Sequence, residues 1–330
     1  MYSISLVVPV YNEDENIQPL LEEVHAAMAQ SPYPWDLILV DDGSTDMTVQ
    51  KMNECVTQYG DHVKVIELQR NFGQTAAMQA GFDHAAGDVV VTLDADLQND
   101  PADILRLVDT LIVEGLDLVV GWRKNRQDNA ISRTIPSRIA NKLIGKITGV
   151  VLHDYGCSLK AYRNDVLRNI NLYGEMHRFI PAWLAMQTSV NRIKEVVVNH
   201  RARVRGVSKY GIGRTSRVIT DLLSVYFFQR FLSRPSHFFG KFAFYLGVIG
   251  FSTFVYLCYV KFIEGLEIGH RPLLLISIVT ILVAIQFLMT GILAELLTRT
   301  YFSADQNKSY RVRGVRGQFS NAQKLPINQA

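Results

Sequence analysis

Val89-Val90-Val91-Thr92-Leu93-Asp94-Ala95-Asp96-Leu97-Gln98 is the stretch on which the reading of this chain turns. Its first half is a short, β-branched apolar run bounded by Gly87-Asp88 before and Asn99-Asp100-Pro101 after, which predicts a buried strand. Side chains alternate along a strand, so Asp94 and Asp96 point the same way, and an extended path to Gln98 would add an amide oxygen on that side. Oxygen-only donors on a short loop suit a hard divalent ion, Mg2+ or Mn2+, that keeps positions open for phosphate oxygens. The same residues also suit a capped turn, because Asp and Asn often end strands and Asp100-Pro101 resembles a helix start. The flanking elements decide between the two.

Upstream, Ile4 to Val10 predicts a strand with Pro9 at its end, followed by an amphipathic helix carrying Ile17, Leu20, Leu21, Val24 and Met28, for which Asn12 is an N-cap candidate. Asp36 to Val40 predicts a second strand that runs into Asp41-Asp42-Gly43-Ser44-Thr45-Asp46. Val63 to Leu68 predicts a third, followed by Gln69-Arg70-Asn71-Phe72-Gly73-Gln74 and a helix over Thr75 to Ala86. Downstream come a helix from about Ala102 to Glu114 and a strand at Asp117-Leu118-Val119-Val120-Gly121. Repeated alternation of apolar strands with helices predicts an α/β fold, a parallel doubly wound sheet with helices on both faces. Ligands bind such sheets at the carboxyl ends of the strands, and here those ends collect Pro9, Tyr11, Glu13, Asp41, Asp42, Asn71, Asp94, Asp96 and Gln98. No G-x-G-x-x-G follows the first strand and no G-x-x-x-x-G-K-[ST] occurs, which argues against a dinucleotide fold and a P-loop NTPase.

The 330 residues carry a net charge of +3, an average over two unlike halves. Up to about Val198 the signs are mixed. From there to Lys241 the charges are nearly all positive, and two long apolar segments follow. Cys55, Cys157 and Cys258 form no CxxC and no disulfide framework, which suits reduced thiols facing the cytosol. The chain passes straight into a strand at Ile4, so no secretory signal peptide is expected.

Taken together, Val8-Pro9-Val10-Tyr11-Asn12-Glu13, Val40-Asp41-Asp42-Gly43-Ser44-Thr45-Asp46, Arg70-Asn71-Phe72-Gly73 and Asp94-Ala95-Asp96-Leu97-Gln98 resemble a family 2 glycosyltransferase of the GT-A fold. Gly121-Trp122-Arg123, Asp154-Tyr155-Gly156-Cys157-Ser158-Leu159-Lys160 and Gly206-Val207-Ser208-Lys209-Tyr210 narrow the likeness to the polyprenyl-phosphate glycosyltransferases. That group includes dolichyl-phosphate mannose synthase and the bacterial undecaprenyl-phosphate (bactoprenol) glucosyltransferases. The resemblance implies that Pro9, Tyr11, Glu13, Asp41, Asp42, Asn71 and Asp94 bind the nucleotide sugar, with Lys209 on its diphosphate. It implies Asp94, Asp96 and Gln98 as the site for Mg2+ or Mn2+, and Arg123, Arg133 and Arg205 around the phosphate of a lipid acceptor. Asp42-Gly43-Ser44 alone also reads as an ordinary strand–helix turn, and the basic loop around Arg205 as a patch drawn to acidic lipid. In many such relatives an acid at the position of Asp154 faces the sugar. A phosphate monoester is already largely dianionic at neutral pH, with a second pKa of about 6, so an orienting role for Asp154 is favoured over a general base.

Arg214 to Leu232 predicts a basic amphipathic helix at a bilayer surface. Phe238 to Ile263 and Leu273 to Leu297 are each long enough to cross a bilayer, since about 25 residues at 1.5 Å each span roughly 37 Å. The loop between them is not basic, whereas the tail carries Lys308, Arg311, Arg313, Arg316 and Lys324, so the positive-inside rule places both termini in the cytosol. The expected organisation is a cytosolic catalytic domain (1–210), juxtamembrane helices (211–236), two transmembrane helices (237–299) and a basic tail (300–330) whose last ten residues are disordered. The expected reaction is inverting transfer of a hexose to undecaprenyl or another polyprenyl phosphate at the cytosolic face of the plasma (inner) membrane. UDP-glucose is the first choice of donor, with mannose, an aminosugar or an acidic sugar left open. Nucleic acid is not an expected partner, while self-association, a flippase and a downstream glycosyltransferase stay open. A processive polysaccharide synthase is disfavoured by the absence of Q-x-x-R-W, and a silent scaffold by the intact Asp94, Asp96, Gln98 and Arg123 set.

Overall fold

A computed structural model describes residues 2–124, much of 141–202, 235–303 and 312–316. The chain divides into two compact units, one formed by Met1–Val225 with Lys308–Ala330, the other by Tyr226–Asn307. Arg133, Arg205 and Lys209, the amphipathic segment 214–232 and the last ten residues lie outside the described residues.

The first unit is built on β1 (Ile4–Val10), β2 (Trp35–Asp41), β3 (Val63–Leu68), β4 (Val89–Thr92), β5 (Leu118–Trp122), β6 (Lys160–Arg163), β7 (Ile193–Val197) and β8 (Val312–Arg316). They form one sheet in the order β7-β5-β6-β4-β1-β2-β3-β8. β1 lies between β2 and β4, parallel to both. Period-two alternation sends Val7 into one core with Ile38, Val40 and Ile66, and sends Leu6 and Val8 into the other with Leu37, Leu39 and Val91. Burial on both faces is why these strands are unbroken apolar runs. The helices α1 (Ile17–Met28), α2 (Thr48–Tyr59), α3 (Gln74–His84) and α4 (Ile104–Val113) cover them, α1 burying the Ile17, Leu20, Leu21, Val24 and Met28 stripe read from periodicity.

The sheet is mostly parallel rather than wholly so. β6 inserts antiparallel between β4 and β5, pairing Thr92 with Lys160 and Val120 with Lys160. An antiparallel strand starts where its neighbours end, so β6 delivers the 154–160 segment to the edge that carries the acidic loops. The tail also contributes: β8 pairs antiparallel with β3, setting Ile66 opposite Val315 and covering an edge that would otherwise expose unpaired backbone. Asn12 does not cap α1. It holds a left-handed backbone (φ 50), and its side chain accepts a hydrogen bond from Thr45 N at 2.8 Å, so the helix begins only at Ile17 after Asn16.

In the second unit α7 (Pro235–Phe262) and α8 (Pro272–Ser303) form a helical hairpin, numbered after the short helices α5 (Asn164–Leu167) and α6 (Ile180–Leu184). Ser236–Phe262 and Pro272–Leu297 are long and apolar enough to cross a membrane, and most of their large apolar side chains are exposed. Small residues set the contact between them. A Cβ at Gly250 would lie 2.8 Å from the Ile281 side chain and 3.0 Å from its nitrogen. Such close approach is how helices pack where water supplies no driving force. Glu295 accepts a hydrogen bond from Ser236 at 3.2 Å.

Candidate active site

The loops after β1, β2 and β3 are tied into one ledge. Asp41 accepts bonds from Gly43 N (3.0 Å) and Ser44 N (3.1 Å), and the Ser44 hydroxyl accepts from Asn12 N at 2.9 Å. Asp42 accepts from Phe72 N (2.7 Å) and Gly73 N (2.9 Å), which fastens the second loop to the third. Burial pushes its carboxyl up to about 6 against these bonds. Asp41 and Asp42 are therefore turn formers and loop clamps, and any donor contact they make uses the lone pairs left over. Glu13 is held by Asn16 at 2.6 Å, and Asn71 is exposed at the rim.

Gly43 makes the ledge possible. Its backbone is left-handed (φ 72), and a Cβ there would overlap the Arg70 carbonyl carbon and lie 2.5 Å from Asn71 N. Gly43→Ala adds left-handed strain of roughly 1–2 kcal/mol to that overlap. It is expected to weaken UDP binding at least tenfold, about 1.4 kcal/mol, with the far-UV spectrum retained. Titration of the purified protein with UDP checks this, and unchanged affinity would show that the ledge does not hold the donor.

After β4 the chain departs from the extended path that periodicity suggests. Leu97 is left-handed (φ 59), so the backbone turns through 95–97 and Gln98 is not simply two positions further along a strand. A non-glycine residue held there costs energy that the surroundings must meet, and such positions cluster at functional sites. Asp96 accepts from Gln98 N at 3.2 Å, while Gln98 O accepts from Arg201 N at 2.9 Å. Arg201 bridges Glu23 (2.6 Å) and Asp100 (2.9 Å), which pins the segment 199–202 against this loop. Gln74 donates to Asp94 at 2.9 Å, and Ser158 also bonds it. Burial, and then the Asp96 charge, push the Asp94 carboxyl up. Two carboxylates this close, with burial working against the charged form of Asp94, suit a divalent cation. Among the described residues no group of three or more His, Cys, Asp or Glu forms a closed metal cage. Two carboxylates with phosphate oxygens completing the shell is the arrangement Mg2+ and Mn2+ accept, so the donor set fits such an ion, with Gln98 on the same turn.

Beside this loop lies a buried ion pair. Asp154 takes Arg123 Nε at 2.7 Å and Nη2 at 3.0 Å, and also accepts from Gly156 N at 3.1 Å. The two side chains are 12% and 5% exposed. Fork-to-fork pairing fixes both. Asp154 is thus committed as an acceptor and badly placed to take a proton, while among the described residues Nη1 of Arg123 has no partner and is left for an anion. Glu195 on β7 supports the pair from behind, accepting from Asp154 N (2.9 Å), His153 N (2.8 Å) and His153 Nδ1 (2.8 Å). Asn99 donates to Ser158 at 2.6 Å and thereby joins the 158 segment to the acidic loop.

Thus Pro9 and Asp41, at the ends of β1 and β2, and Tyr11, Glu13, Asp42, Asn71, Asp94, Asp96 and Gln98, on the loops that follow the strands, all lie at one sheet edge, with Arg123 and Asp154 beside them. Sequence reading overlooked Gln74, Ser158, Glu195 and Arg201. Gln74 and Ser158 sit inside motifs already singled out. Glu195 comes from a strand some 40 residues beyond the loop it holds, with no local signal.

The Glycosyl transferase family 2 model matches residues 5–170, and the chain belongs to that family. A dodecaprenyl-phosphate galacturonate synthase of Rhizobium johnstonii is 54% identical over 312 residues, 94% of this chain and 92% of the relative. An undecaprenyl-phosphate 4-deoxy-4-formamido-L-arabinose transferase of Pseudomonas fluorescens is 36% identical over 91% of this chain and 86% of its own length. Both relatives are polyprenyl-phosphate glycosyltransferases by name, as the motifs lead one to expect. Glucosyl-3-phosphoglycerate synthase of Mycobacterium tuberculosis, solved with Mn2+, UDP and glucosyl-3-phosphoglycerate, shares the fold with a TM-score of 0.54 and 22% identity, covering 68% of this chain and 80% of that one.

Proposed function

We propose that this enzyme transfers galacturonate from its nucleoside diphosphate to a polyprenyl phosphate. The carrying observation is 54% identity to the galacturonate synthase along nearly the whole of both chains, apolar hairpin included. Glucose, the first choice from sequence, is set aside, because neither of these relatives is named for it. An acidic sugar was among the donors left open. Transfer of 4-deoxy-4-formamido-L-arabinose is the second reading, favoured by the 36% identical relative.

In this reading the ledge of Asp41, Asp42, Gly43 and Asn71 seats the nucleoside, and Asp94 and Asp96 face the diphosphate. A divalent cation held there supplies positive charge against the departing diphosphate. The acceptor phosphate brings an oxygen that is already anionic, attacks the anomeric carbon opposite the leaving group and inverts it, so the protein must position and neutralise rather than deprotonate. Asp154 holds Arg123, and Arg123 turns its Nη1 corner toward the acceptor phosphate, with Arg133, Arg205 and Lys209 as further anion contacts. Return of the tail to the catalytic unit as β8 supports a hairpin that leaves and re-enters the membrane on one side. With the positive-inside bias, this supports a multi-pass protein of the inner membrane with both termini cytosolic.

Full-length protein given undecaprenyl phosphate, Mn2+ and labelled UDP-galacturonate or UDP-glucose in parallel tests the donor. Label is expected in the organic phase from the uronate at a rate at least about tenfold above glucose. Faster transfer of glucose would overturn the choice of sugar.

A further inference from the structure

Lys160 is 3% exposed, yet among the described residues no carboxylate lies within ion-pair distance of it. It opens β6, between Thr92 of β4 and Val120 of β5, at the edge where both neighbours end. Its ammonium donates to the Cys157 carbonyl. The next residue, Ser158, bonds Asp94, and its own carbonyl accepts from Thr92 Oγ1 at 2.6 Å. Lys160 is therefore one peptide away from a side chain that touches the acidic loop, and it feels the charges of Asp94 and Asp154 through protein rather than water. Arg123 is paired with Asp154, yet its charge still reaches Asp94, ahead of that of Lys160. Lys160 is the second cation acting on Asp94, and among the described residues it has no carboxylate at ion-pair distance. A methionine would fill the same space without the desolvation cost of an ammonium.

The geometry points to Lys160 as a resident counter-cation of the site beside Arg123, a positioning residue that keeps the acidic loop from binding a divalent ion strongly until the donor diphosphate arrives with it. The inference rests on the proposed metal-assisted donor site and adds an order of events to it. With Lys160 in place, the empty site carries two negative charges, offset in part by the Lys160 ammonium and by the Arg123 charge that still reaches Asp94. It is a weak trap for a bare divalent cation and a weak repeller of a diphosphate. When the diphosphate and its cation arrive together, their charges complete a set that neither completes alone.

Two binding constants measured on full-length protein in detergent, without sugar or lipid, test this. Free Mn2+ is followed by electron paramagnetic resonance with no nucleotide present, and UDP binding is followed calorimetrically in EDTA. Lys160→Met and, as a second neutral side chain, Lys160→Gln are expected to bind Mn2+ about tenfold more tightly and UDP about tenfold more weakly than wild type. The opposite signs discriminate, because a site that had merely lost its shape would lose both ligands. Weakening of both, or change in neither, while wild type binds Mn2+ through Asp96, overturns the role of Lys160 and leaves the metal site standing. Absence of Mn2+ binding to wild type, with or without UDP, overturns the metal reading and this inference with it.

Discussion

Arg123→Ala is expected to lower the stability of the catalytic unit by about 3–5 kcal/mol, because it strands the Asp154 carboxylate where water cannot reach it. For a unit of this size that is a fall in melting temperature of roughly 6–20 °C. Asp154→Ala should do similar harm by stranding the guanidinium. The double variant Arg123→Met with Asp154→Leu removes both charges and should recover most of the melting temperature but none of the transfer. Together the three variants separate what the pair does for the fold from what Arg123 does for the acceptor. Activity in the double variant would remove Arg123 and Asp154 from the reaction. The melting temperature is read from tryptophan fluorescence of the full-length protein, Trp122 being adjacent to the pair.

The second large effect is at the acidic loop. Asp96→Ala is expected to reduce transfer by about 10²–10³-fold, the usual consequence of removing one group that stabilises charge developing in a transition state. The fold should not suffer. Asp96 is one of two crowded carboxylates, and its loss removes the repulsion that, after burial, pushes Asp94 up. Without metal the variant should therefore melt at or above the wild-type temperature, and added Mn2+ should no longer raise it. Loss of activity accompanied by a lower melting temperature would mean that Asp96 serves the turn around Leu97 rather than a cation.

The strand–helix alternation and the edge at which ligands gather were legible because buried parallel strands must be apolar on both faces, and because loop carboxylates stand out against them. What escaped depended on partners distant in the chain. Asp42 is spent on Phe72 and Gly73, and Asn12 on Thr45; neither pairing leaves a mark in local spacing. The turn at Leu97 was hidden because a non-glycine residue in left-handed backbone has no compositional sign. The antiparallel insertion of β6 follows a connection of more than 30 residues after β5 and leaves no sign in local spacing. β8, Val-Arg-Gly-Val-Arg, looks like a charged tail, and only the open edge of β3 makes it a strand. The sugar was not legible at all, since loops that seat a nucleotide need not differ between donors.

The central claim is cation-assisted transfer at Asp94 and Asp96 to the phosphate of a polyprenyl lipid. Its most direct test is mass spectrometry of the lipid fraction after wild-type protein meets undecaprenyl phosphate and UDP-galacturonate, with Mn2+, with EDTA, and with Asp96→Ala in place of wild type. A polyprenyl phosphate heavier by one sugar residue is expected with Mn2+ alone, and at most traces in the other two. The same product in undiminished yield in EDTA, or from Asp96→Ala, would contradict the claim.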